Sequence, residues 1–261
     1  MRRLPQDQAF AEREWLADID YPYVEGDFVG YDPAGWEDSV WVLHSVHTDL
    51  HAPGNSEPAV SGEIQQVPAR KEPEMGDRVR WSEVAIRMGV ELGDTIGVPP
   101  CHRWLSGFNW LDHFYPFGNG VLDDDNYVRI TAAIAATSRE TPAKVFGFFG
   151  WLTTYANASD TRDEISLYRG PVGQAIEWRV SDYEPNTPSN IWPKDRAWFL
   201  YTDYDLQATK VSGSRELIAA LEADDYLETL RWERPPASDQ RAVCYQRGCL
   251  NGHFDNKGQR C

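Results

Sequence analysis

The chain has 261 residues, 25 basic against 41 acidic, for a formal net charge of −16. Hydrophobic residues make up 41%, with 11 Trp, 12 Tyr and 10 Phe, enough for a packed core and incompatible with a disordered chain. The acidic balance disfavours nucleic acid and anionic membrane as partners, and no run approaches the ~18 apolar residues of a membrane-spanning helix. The basic pair in Met1-Arg2-Arg3-Leu4-Pro5 has no apolar stretch behind it, so no secretory signal is expected and a cytoplasmic location is.

Taken in order, residues 6–19 place Phe10, Trp15 and Ile19 near one helical face, and Tyr21-Pro22 ends that helix. The run from Ser39 to Val46 reads as a buried strand. Residues 52–78, rich in Pro, Gly and Glu, read as a long exposed loop. From Arg80 to Leu92, Trp81, Val84, Ala85 and Met88 recur at helical spacing. The aromatics of 97–120 follow no period, which predicts packed loop with little regular structure. Asp123-Asp124-Asp125 opens a helix running to Ser138, carboxylates favouring the positive helix start. Residues 144–151 and 164–169 look like successive strands.

The sharpest local signal comes late. Ala197–Thr202 is strand-like, Asp203-Tyr204-Asp205 makes a turn, and Gln207–Val211 forms the second arm of a hairpin. A helix follows, with Ser214 as its cap and Leu217, Ile218, Leu221 and Leu227 as its apolar face. Together these elements predict an α+β fold, a mixed or antiparallel sheet with packed helices. A single domain is expected over 1–236, followed by a flexible basic tail over 237–261.

That tail holds three of the four cysteines. From Ser238 onward it carries four basic and two acidic residues, a net of +2, which leaves −18 on the rest. Cys244, Cys249, His253 and Cys261 supply the ligand types and number of a tetrahedral zinc site, against the plainer reading of idle reduced thiols. No other cofactor is expected. His44, His47 and His51 would share a face on a helix and could hold a metal there, but the flanking residues favour a strand, where His44 and His47 point apart.

Phosphate loops and the nucleophile elbow Gly-x-Ser-x-Gly are missing from the sequence. Asp203 and Asp205 after the apolar Trp198-Phe199-Leu200-Tyr201 resemble the Asp-x-Asp of haloacid-dehalogenase-like phosphatases. That resemblance implies a carboxylate nucleophile, a proton-handling partner and Mg²⁺. Gln207 and the position near the C-terminus depart from the family pattern, and Asp serves equally well in a plain hairpin turn. Arg169, Asp195, Arg196 and Lys210 form the last group. Asp195 and Arg196 stand between Trp192 and Trp198, a combination suited to an anion or aromatic partner or to an ion pair anchoring the loop before a strand.

Three stretches, Tyr168-Arg169-Gly170-Pro171-Val172-Gly173, the run from Ser189 through Asp205, and Thr209-Lys210-Val211-Ser212-Gly213, resemble uncharacterised acidic actinobacterial proteins. The resemblance covers roughly 80–232 and implies a stand-alone interaction or immunity-type module, with no activity to carry over. The leading expectation is therefore a protein-interaction module, an immunity protein occluding a basic toxin being one form of it. Trp192, Asp195, Asp203 and Asp205 would be its binding residues. The alternative is a metal-dependent hydrolase that uses Asp203 and Asp205.

Overall fold

The computed structural model describes residues 2–17, 34–49, 75–88, 92, 100, 114–116, 122–137, 145–148, 167–172, 188, 190–202 and 206–233. The chain is α+β. Among these residues eight strands form one sheet in the order β1 (Arg2–Arg3), β7 (Leu167–Gly170), β6 (Val145–Phe148), β8 (Asn190–Pro193), β9 (Phe199–Tyr201), β10 (Ala208–Gly213), β2 (Asp38–Leu43) and β11 (Thr229–Leu230). Every neighbouring pair is antiparallel. A second antiparallel sheet has the order β4 (Met75–Val79), β3 (Val46–Asp49), β5 (Phe114–Pro116). The helices are α1 (Gln6–Ala17), α2 (Trp81–Met88), α3 (Asp124–Thr137) and α4 (Arg215–Glu222).

Strand alternation decides how the layers stack. Successive side chains of a strand point to opposite faces, and β2 has apolar groups on both. Val40 and Val42 join a cluster with Ile191, Leu200 and Val211 of the sheet, Tyr127, Ile130 and Ile134 of α3, and Leu217, Ile218 and Leu221 of α4. Trp41 and Leu43 join the other cluster, with Trp192, Phe199, Tyr201, Ala9 and Leu16 of α1, and Val46, Val79, Trp81 and Phe114 from the small sheet and α2. The large sheet is thus covered on both faces, which is why β2 and β9 read as continuous apolar runs rather than as alternation.

Several expectations are met. The hairpin β9–β10 and the helix behind it form, and Ser214 caps α4 by accepting from the Leu217 N–H at 3.2 Å. Replacing that hydroxyl leaves a helix-start N–H without its partner, so Ser214→Ala is expected to cost about 1 kcal/mol in denaturant unfolding.

Five details differ. The run expected as one strand to Val46 breaks at His44-Ser45 and continues as β3 in the second sheet. Residues 75–78, expected as part of an exposed loop, belong to β4, and 114–116, expected as irregular, form β5. The segment before β9, expected as loop, contains the strand β8. Leu227 lies beyond α4, which ends at Glu222, although its side chain is buried in the same cluster as Leu217 and Leu221.

The tail 237–261 and most of 52–78 lie outside the described residues. Among the described residues no helix is long and apolar enough to cross a membrane.

Candidate functional site

Two places combine polar chemistry with an unusual local structure. The first is where β2 leaves the large sheet. His44 is 2% exposed and its Nε2 lies 2.9 Å from the Thr209 hydroxyl of β10. The His44 carbonyl accepts from the Trp81 indole N–H at 2.8 Å, and its N–H donates to the Gln207 carbonyl at 2.8 Å. Next to it the Ser45 N–H donates to Asp123 Oδ2 at 3.1 Å, and Arg78 Nε donates to the Ser45 hydroxyl at 3.1 Å. Asp123 caps α3 by accepting from the Asn126 N–H at 3.0 Å, and the Asn126 amide donates to both Asp123 Oδ2 and the Leu43 carbonyl. One buried carboxylate therefore ties the start of α3 to the sheet end.

Thr209, His44 and Asp123 have the residue types of a hydroxyl nucleophile, a base and an orienting acid. Their geometry does not join them into that relay. His44 Nδ1 has no hydrogen-bond partner, Asp123 spends its bonds on backbone and amide N–H groups, and Thr209 is 1% exposed. Burial dominates the imidazole: taking it out of water pushes its pKa down to about 4, against a smaller upward pull from Asp123. His44 is thus a neutral, structural histidine at neutral pH. His47 belongs to the other sheet, its Nδ1 3.1 Å from the Gly76 carbonyl, and His51 lies outside the described residues. Among the described residues no group of three His, Cys, Asp or Glu side chains is placed to hold a metal ion.

The second place is the turn between β8 and β9. The Arg196 N–H donates to the Pro193 carbonyl at 3.0 Å, closing the turn, and Asp195 Oδ1 accepts from the Ala197 N–H at 3.2 Å. Arg196 has φ +56°, a left-handed conformation that glycine or asparagine adopts more readily. Its guanidinium carbon sits 4.5 Å above the ring of Trp15, and its carbonyl accepts from the Trp36 indole N–H at 3.0 Å. Beneath it, Trp15 meets Trp36, Trp192 and Phe199 edge-on at 5.8–6.3 Å between ring centres. Trp192 and Phe199 stack at 5.9 Å. Trp15 and Trp36 are half-buried, so this aromatic column runs from the core to the surface.

Of the four binding residues expected from the sequence, the structure describes Trp192 and Asp195. Trp192 is 2% exposed and forms the inner end of the column, so it offers no surface to a partner. Asp195 is exposed at the turn. Asp203, Asp205, Cys244, Cys249, His253 and Cys261 lie outside the described residues. Arg169, grouped with Asp195 and Arg196 on the sequence, instead pairs with Glu12 of α1, and Lys210 lies 6.0 Å over Trp41. Sequence reasoning missed Trp15 and Trp36 as the partners of Arg196. The only local hint was an arginine, not a glycine, near the end of a tight strand connection. No protein-family model, curated protein or solved structure matches the chain.

Proposed function

We propose that this chain is a cytoplasmic protein-interaction module whose acidic surface engages a basic protein, an immunity protein against a basic toxin being the most specific form of that reading. The observation that carries it is the net charge of −16, expressed on the described surface by exposed Asp7, Glu14, Asp77, Asp124, Asp125, Asp195, Glu216 and Asp225. A field of that sign speeds the approach of a cationic partner and holds off nucleic acid and anionic lipid.

Not every carboxylate contributes to such a field. Asp38 and Glu222 both bind Arg231, whose guanidinium holds each below the usual carboxylate range, and Asp224 binds Arg129. These pairs fasten α4 and the following chain to β2 and α3, which is structural work. Glu37 is likewise engaged with Arg215 and Glu83 with Arg87, so the exposed carboxylates outside these pairs are the ones available to a partner.

The test is affinity capture with the whole chain, followed by kinetics on the captured basic protein at rising salt. Because surface charges are screened beyond ~8 Å at physiological ionic strength, the association rate is expected to fall about tenfold from low to moderate salt. Dissociation should change by less than about threefold. Capture of no basic protein, or an association rate indifferent to salt, would count against the reading.

A further inference from the structure

We infer that the outer face of Trp15 is a binding site for a cationic side chain, occupied in the free protein by the chain's own Arg196 and handed over to an arginine of the basic partner on docking. This deepens the reading above and rests on it. Three observations on different elements converge. The guanidinium of Arg196 already lies 4.5 Å over the Trp15 ring, so the face is shaped and oriented for such a group. The turn that carries Arg196 holds it at φ +56°, which glycine tolerates and arginine resists, so the residue is kept there against its own backbone preference. The third concerns charge. Exposed carboxylates are next in sequence to the residues of the site: Glu14 to Trp15 and Asp195 to Arg196, while Glu37, next to Trp36, is already paired with Arg215.

The occupant is an arginine because its planar guanidinium stacks on an indole face and hydrogen-bonds carboxylates in the same plane, which an ammonium does less well. Trp36 extends the platform. Its indole N–H is bound to the Arg196 carbonyl, so the backbone of the turn stays anchored when the side chain swings away. The aromatic column beneath, from Trp15 to Trp192 and Phe199, holds the Trp15 ring in place whichever cation covers it. Tryptophan and arginine are also the residue types most often found to dominate protein interfaces.

The test uses the full chain and oligoarginine, oligolysine and oligoglutamate peptides in titration calorimetry at low salt. Arg196→Gly removes the internal occupant while suiting the left-handed turn, so the fold should be kept. Lys194→Gln removes one positive charge from the same exposed turn without baring Trp15, and so measures the purely electrostatic gain. Oligoarginine is expected to bind Arg196→Gly about two- to fivefold more tightly than it binds Lys194→Gln, the size of one exposed cation–π contact. The gain should be smaller for oligolysine, and the Trp15 indole N–H resonance of Arg196→Gly should shift on titration. Equal affinity of the two variants for oligoarginine, or an unmoved Trp15 resonance, overturns the inference. If binding in that case is still salt-dependent and selective against oligoglutamate, the acidic-surface reading survives. Failure of the unaltered chain to prefer oligoarginine over oligoglutamate overturns that reading itself.

Discussion

Trp192→Ala is expected to destabilise the protein by about 3–5 kcal/mol, the usual cost of removing a large aromatic side chain from a packed core. The indole is 2% exposed, stacks on Phe199 at 5.9 Å and meets Trp15 edge-on at 5.8 Å. Truncation leaves a cavity on a strand paired on both sides, by β6 and β9, so the backbone has little freedom to collapse into it. Thermal or denaturant unfolding measures the loss directly. Were Trp192 a surface anchor, the same substitution would leave melting unchanged and raise only the dissociation rate of a partner. Trp192→Phe, which keeps much of the volume, should recover a large part of the lost stability.

Stability should also fall as the solution is acidified, by about 3 kcal/mol between pH 6.5 and 4, from His44 alone. In the unfolded chain this imidazole takes up a proton near its ordinary value of 6.5, whereas burial delays that uptake in the folded protein to about 4. Within this window the unfolded state binds a proton that the folded state refuses, so acid favours unfolding. Above pH 6.5 both states are neutral and the contribution is constant; below about 4 both are charged and it levels off. His44→Gln, which keeps a polar group toward Thr209 but does not titrate, is expected to flatten this part of the pH profile. An unchanged slope in the variant would show that the buried histidine is not the source.

What could be read from the sequence follows the strength of local periodicity. α2 and α4 were legible because apolar residues recur on one face, α4 also because Ser214 precedes Leu217, Ile218 and Leu221, and α3 because acidic residues mark its start. α1 was read from Phe10, Trp15 and Ile19, whereas the described residues it buries are Ala9 and Leu16. The β9–β10 hairpin was legible because its strand-like arms are separated by only a short Asp-containing stretch, 203–205. β8 was not, since Asn190-Ile191-Trp192-Pro193 is four residues long and ends in a proline. β4 was hidden for a different reason: Met75-Gly76-Asp77-Arg78-Val79 has a single β-branched residue, and its strand conformation comes from pairing with β3.

The site was harder still. Whether an aromatic beside charged residues faces solvent or core depends on strand parity within the sheet, and that parity was not available without β8. Trp192 points to the α1 side and Ile191 to the α3 side. Likewise the burial of His44 depends on Thr209 and Asp123, which lie far away in sequence and meet it only through the pairing of β2 with β10 and the docking of α3.

That same β2–β10 pairing sets a timetable for the chain as it leaves the ribosome. β2 is apolar on both faces, yet the strand it pairs with most extensively begins at Ala208. At ~5–20 residues per second, about ten to thirty seconds of synthesis separate the appearance of β2 from that of its partner. During this interval Val40, Trp41, Val42 and Leu43 have helices to pack against but no ladder partner, and the large sheet is completed only after most of the chain has been made. Such a long-range pairing raises the loop-closure cost that must be met before the large sheet forms, which slows folding. A ribosome-bound chain stalled before β10 has emerged would thus be protease-sensitive throughout the β2 region, and one stalled after β11 would not.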